Sequence, residues 1–477
     1  MKKTLVLILL FASQLLFAQK QGNIWYFGYN AGLDFNNAPP LSLSGGQTYS
    51  PDGTPVEGTA TISDSTGTLM FYTNGTKVWN KNHQIMPNGA NLMGNFSSTQ
   101  SSLIVPLPAS SRYYYVFTTD AFYIDNLQNG FRYSIVDMCL DSGLGDVILS
   151  ECNVKLLDTV AEKLSAIRHA NGVDYWIIVH KYYSDAFYAY QLSPAGIINM
   201  VISHIGSRHP NVLLPQTTSA AIGSMKFSPD GSKLAIVSSN SGSYAVAEYF
   251  DFDKSTGIFS NYVNLQTNPG YNYYGISFSP DNSKLYITCC LNNNGLFQFD
   301  LNSGNGNPDS VRASRTKIAG ANWSWGLQLA TNGKIYVAGQ GKYISVVNSP
   351  NNLGLSCSFS DSALYLVNGL CSMGLPNFID SYDYSNGTYD CSIGIKENTW
   401  ASSISISPNP TSGIITLKSS SEHNSIFIYS SLGELVYENK DAPALCDMDL
   451  RAQEAGIYFC EIRSENRQKI FKIIKSQ

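Results

Sequence analysis

The chain has 477 residues, a formal net charge of −5 and only 14% charged residues. That length exceeds what one compact core usually organises, so two or more domains are expected. The charge excludes the broadly basic surface that binds nucleic acid or anionic membranes, and 12% aromatics with 39 Gly suit short strands and tight turns better than long helices.

The first segment reads as an export signal. Met1-Lys2-Lys3 is a positive start, Leu5 to Phe17 is almost wholly apolar, and Leu16-Phe17-Ala18 precedes Gln19. This is the pattern of a secretory signal peptide over residues 1–18, cut between Ala18 and Gln19. The competing reading, a membrane anchor, needs roughly 20 apolar residues, and this run is shorter. No Cys follows it to carry a lipid, and no later run is long and apolar enough to span. The mature form is therefore expected to have no membrane span.

Next come two short strands, Asn23 to Phe27 and Gly32 to Phe35, and then a repeated unit of turn followed by apolar strand. Its clearest copies begin at Phe227-Ser228-Pro229-Asp230-Gly231, Phe278-Ser279-Pro280-Asp281-Asn282 and Leu329-Ala330-Thr331-Asn332-Gly333, spaced 51 residues apart (278 − 227 and 329 − 278). Pro presets one turn angle and Gly or Asn tolerates the left-handed one. Weaker copies start at Asp64, Ala109 and Ala170. Six units at periods of about 40–60 residues fit the blades of a β-propeller, whose sheets bury both faces only by packing around an axis. The fold class is all-β: a propeller of about seven blades over residues 20–385, the last blade drawing on Asn23 to Phe35 and on Gly374 to Ile379. A large β-sandwich is the alternative, but it explains the repeated unit less well.

The Ser-Pro-Asp-Gly units resemble WD-type propellers. Trp25-Tyr26-Phe27-Gly28, Glu57-Gly58-Thr59-Ala60, Val78-Trp79-Asn80 with His83, and Gly374-Leu375-Pro376-Asn377-Phe378 look like the secreted propeller-like proteins of gliding bacteria. That resemblance brings no settled activity with it.

Residues 386–403 are polar and read as a linker. Residues 404–477 hold short strands at the spacing of a small immunoglobulin-like β-sandwich. Pro408-Asn409-Pro410-Thr411-Ser412-Gly413, then Ala455-Gly456-Ile457-Tyr458-Phe459, then a basic and apolar end together resemble the C-terminal sorting domain of type IX secretion, type A. The resemblance implies the type IX machinery as a partner and a location outside the cell or on its surface. A small sandwich used for binding is the alternative.

Nine Cys are present. Cys357–Cys371 and Cys446–Cys460 are the pairings expected first in an oxidising compartment. Metal-ligand spacing is absent, so no metal and no cofactor are expected. There is no Gly-x-Ser-x-Gly elbow, phosphate loop or His-Glu-x-x-His, so no catalytic residue is assigned. Asp251 to Gly257 reads as a polar turn, and Asp230 and Asp281 as acceptors for turn backbone.

The ligand candidates are His83, with a structural role as its competing reading, and the aromatics Tyr273, Tyr274, Trp323 and Trp325, expected in loops at the propeller mouth where rings stack on sugars. Tyr271 belongs with them, and Asn272 and Asn322 would supply hydrogen bonds. The expected function is surface binding or adhesion toward a glycan or a protein. The alternative is a polysaccharide hydrolase or lyase whose carboxylates meet from different blades. A structural part of an adhesion or motility machine is a third reading.

Overall fold

The computed structural model describes residues 20–49, 56–209, 219–239, 245–266, 272–290, 295–320, 324–384, 404–419, 424–464 and 467–476. The signal segment with Ala18 and Gln19, the linker 386–403, Tyr271, Asn322 and Trp323 lie outside the described residues. The chain divides into two compact units, residues 1–391 and 392–477.

The first unit is a β-propeller of seven sheets, counted among the described residues. Blade 1 (residues 24–43) has three strands. Blade 2 (59–80), blade 3 (102–157), blade 4 (160–204), blade 5 (225–264), blade 6 (273–319) and blade 7 (327–365) follow in chain order. Every one of the six turn units joins the first strand of its blade to the second. In blade 5 the turn links Met225–Phe227 to Lys233–Ser238, and Gly231 takes φ +72°. Asp230 accepts from the Ser228 hydroxyl and from Ser232 N (2.6 and 2.9 Å), and Asp281 does the same with Ser279 and Ser283. A short side chain that satisfies turn N–H groups fixes the hairpin without a partner strand. Asp253 likewise closes the turn between the last two strands of blade 5, accepting from Ser255 N at 2.8 Å.

The second strands carry apolar residues on both faces because both faces meet a neighbouring blade. Leu234 and Ile236 pack with Trp176 and Ile178 of blade 4, whereas Ala235 and Val237 pack with Ile276 and Leu285 of blade 6.

Closure of the ring differs from the expected pairing. Pro376–Asn377 hydrogen-bonds in parallel with Thr59 and Ala60 of blade 2, not with Ile24–Phe27. Blade 1 meets the late segment through side chains instead, with the Phe378 ring 5.8 Å from Trp25. Blade 1 closes on blade 7 through Trp25, Phe27 and Phe35 against Tyr336 and Ile344.

The second unit is a sandwich of a three-stranded and a four-stranded sheet. Ile415, Leu417, Ile428, Met448, Cys460 and Ile473 form its core. The expected Cys pairings are corrected: Cys357, Cys371, Cys446 and Cys460 are free thiols. Cys357 is packed between blades 6 and 7, and Cys371 lies in the core shared by blades 1 and 7. Cys446 and Cys460 sit on different sheets of the sandwich. Cys139 is disulfide-bonded.

Candidate functional site

The late segment does more than pair with blade 2. Residues 374–384 run along the propeller axis and bond to one blade after another. Asn377 donates to Leu164 O at 2.9 Å and to Ser102 O at 3.3 Å, and its Oδ1 accepts from Lys226 Nζ at 2.8 Å. Asp380 accepts from Ser165 and from Phe227 N, and pairs with Lys226 at 3.1 Å. Tyr382 donates to Leu329 O. Three side chains thus join blades 3, 4, 5 and 7 and fill the channel.

In an antiparallel sheet the first strand begins beside the end of the second. Residues just before each first strand and just after each second strand therefore gather on one face. At its centre lies Glu57, immediately ahead of blade 2. Its carboxylate accepts from the Ser97 hydroxyl (3.0 Å) and from the Tyr274 hydroxyl (2.7 Å) of blade 6. Glu162 begins blade 4 and accepts from Thr99 N, the Thr99 hydroxyl and Phe122 N (3.0, 2.9 and 2.8 Å). Burial first, and then the charge of Glu162, push the Glu57 carboxyl up to about 8. Next to Glu162, the buried Lys163 ammonium donates to the carbonyls of Ala220, Ala221 and Ile222 (2.9, 2.7 and 3.1 Å). Desolvation lowers it to about 7.

Glu57 opens into a cavity of about 450 Å³ lined by Phe96, Ser97, Gln340, Gly341, Leu370, Cys371, Ser372 and Met373. That volume lies in the usual range for small-ligand sites. Exposed aromatics stand on the same face: Tyr123 in the helix Phe122–Asp125 after the second strand of blade 3, Tyr183 after that of blade 4, and Tyr29, whose N–H donates to Leu370 O, beside Tyr49. The opposite face holds a cavity of about 760 Å³, lined by the turn residues Pro229, Pro280 and Thr331 and floored by Asp380 to Asp383.

The expected mouth aromatics are placed differently. Tyr273 and Tyr274 open the strand Tyr273–Phe278 rather than a loop, and both are 2% exposed. Consecutive strand residues point to opposite faces. Tyr273 therefore fills the packing between blades 5 and 6, and Tyr274 reaches Glu57 with its ring against Trp325 (5.1 Å, 87°). Trp325 is buried as well, and so is Asn272. His83 is on blade 2, its Nδ1 3.1 Å from the Tyr72 hydroxyl and its ring on Tyr26, away from the cavity. Burial lowers its pKa. Sequence reasoning marked Glu57 only as part of a motif and missed Glu162, Phe96, Tyr123, Tyr183 and Gln340. None of these falls within the repeated turn units.

In the tail, Asn409 is bonded to the final strand in both directions: its Nδ2 donates to Lys472 O at 2.6 Å and its Oδ1 accepts from Ile474 N at 2.8 Å. Pro408 and Pro410 flank it. A Cβ on Gly413 would lie 2.4 Å from Arg451 Cγ. Tyr458 donates to Glu454 O at 2.8 Å, two residues before the exposed Gly456.

A seven-sheet ring with a filled axis, joined in one chain to a small sandwich, defines a β-propeller protein with a C-terminal accessory domain. Residues 405–476 match the family model of the secretion system C-terminal sorting domain. The protein is thus type IX cargo, exported to the cell surface or the extracellular space, and its tail engages that machinery. Among the described residues no helix is long and apolar enough to cross a membrane.

No curated protein matches the sequence. Solved structures to which the chain is similar include a provisionally assigned 6-phosphogluconolactonase of Bacteroides uniformis (14% identity, 74% of this chain and 98% of that one, TM-score 0.44). Others are PorZ, a surface component of the type IX secretion system of Porphyromonas gingivalis (9%, 96% and 80%, 0.26), and the periplasmic gluconolactonase PpgL of Pseudomonas aeruginosa (11%, 90% and 99%, 0.38).

Proposed function

We propose that this exported propeller is a binding protein that takes a glycan on the face around Glu57. The observation that carries the reading is a blind pocket. The axial segment closes the channel behind it, hydrogen-bonding groups line it, and exposed Tyr rings stand on the same face. Aromatic faces beside polar groups suit sugars, which are apolar on their ring faces and polar at their edges. The test is retention of the mature protein on a panel of polysaccharides, assayed together with release of shorter sugars. Retention without shortening supports binding, and absence of retention on every glycan turns the search to a protein partner.

A second reading, a polysaccharide hydrolase or lyase, is favoured by one observation: Glu57 and Glu162 come from different blades and interact electrostatically. Glycosidases use such pairs. Against it, Glu162 is buried and both its oxygens are taken by Thr99 and Phe122. New reducing or unsaturated ends in the same assay would establish the enzyme.

A further inference from the structure

We propose that the Glu57 pocket takes an uncharged, polyhydroxylated ligand and rejects anionic glycans such as uronates; this rests on the glycan reading above and names its ligand class. The charge inventory carries the inference. Among the described residues that line the cavity there is no Lys, Arg or His. The ammonium beside Glu162, on Lys163, is fully committed, since each of its three donors goes to a main-chain carbonyl. It has no proton left to offer a bound anion. Glu162, which interacts electrostatically with Glu57, likewise supplies no positive charge to pair with a carboxylate or sulfate in the pocket. A buried anion without a cationic partner is costly to hold.

What the pocket does offer is neutral chemistry. Gln340 supplies an amide with two donors and an acceptor, and Ser97 and Ser372 supply hydroxyls. Glu57, held toward its acid form by burial and by Glu162, can give an O–H as well as accept. Phe96, Leu370 and Met373 form the apolar part of the wall, against which the C–H face of a sugar ring can lie. Sugar hydroxyls both donate and accept, so they pair with such a mixed set where an anion, which only accepts, leaves its carbonyl-type acceptors unmatched.

The experiment uses the mature full chain and uronate-containing polysaccharides, each tested before and after chemical reduction of its carboxyl groups to primary alcohols. This changes charge and leaves the backbone of the glycan unaltered. Reduced forms are expected to be retained at least tenfold more strongly than their parents, and Gln340→Ala, a change at an exposed side chain, is expected to weaken that retention about tenfold. Stronger or equal retention of the unreduced forms would overturn the neutral-ligand inference while leaving glycan binding intact. Retention unaffected by Gln340→Ala would overturn the assignment to this pocket. No retention of any form would overturn both the inference and the glycan reading on which it rests.

Discussion

Lys226 Nζ lies 3.1 Å from Asp380 Oδ1 on the propeller axis, with both side chains at least nine-tenths buried. The pair ties the innermost strand of blade 5 to the segment that threads the channel. Removing one member leaves the other charge buried and unpaired. Asp380→Asn is expected to lower stability by roughly 3–5 kcal/mol, and the double change Lys226→Met, Asp380→Leu to recover most of that loss. Urea unfolding of the three proteins measures both.

Gly374 passes so close to blade 2 that a Cβ there would sit 1.8 Å from Glu57 O. Gly374→Ala must push the axial segment or the Glu57 backbone aside. Overpacking of this kind costs roughly 1–3 kcal/mol. A lower melting temperature together with weaker glycan retention is the expected result, because the same backbone forms the pocket floor.

Glu57 makes stability depend on pH. Its carboxyl is raised from 4.5 to about 8 in the fold, so between those values the native state holds a proton that the unfolded chain has released. Stability should fall as pH rises across that window. Lys163, lowered to about 7, acts in the opposite sense above pH 7. Glu162, Tyr274 and Tyr123 also face this region. Glu57→Gln should flatten the decline between pH 5 and pH 7, read from denaturant melts. An unchanged decline would show that another group causes it.

Of the free thiols, Cys371 and Cys460 are buried, and burial raises both to about 12. Thiolate is the reactive form. In the native protein both are expected to resist alkylation at pH 8 and to react fully once unfolded. Mass spectrometry of the labelled peptides decides this.

Asn409 staples the Pro-Asn-Pro turn to the last strand through two hydrogen bonds. Asn409→Ala is expected to cost the sandwich roughly 1–3 kcal/mol and to reduce the fraction exported. Immunoblots of cell and medium fractions measure the second effect.

The repeat and the tail were legible because each is written in contiguous residues. Each hairpin turn is written within about five positions, and Asp230 and Asp281 bond inside their own turns. The sorting-domain match likewise falls on a continuous stretch. Tyr273 and Tyr274 lie in a strand rather than a loop for a local reason. Tyr273-Tyr274 follows a polar, Asn-rich stretch, yet pairing with Lys284–Cys289 draws both residues into the strand.

By itself, then, the sequence determined the all-β class, the blade hairpins and the secretion tail, since turn chemistry and strand alternation act over a few residues. Tertiary structure alone decided the rest. Asn377 meets Leu164, 213 residues away, and Glu57 meets Tyr274 across 217. Closing the ring brings these groups together, and no local pattern encodes which blade faces which. The bonds along the axis and the pocket at Glu57 follow from that closure.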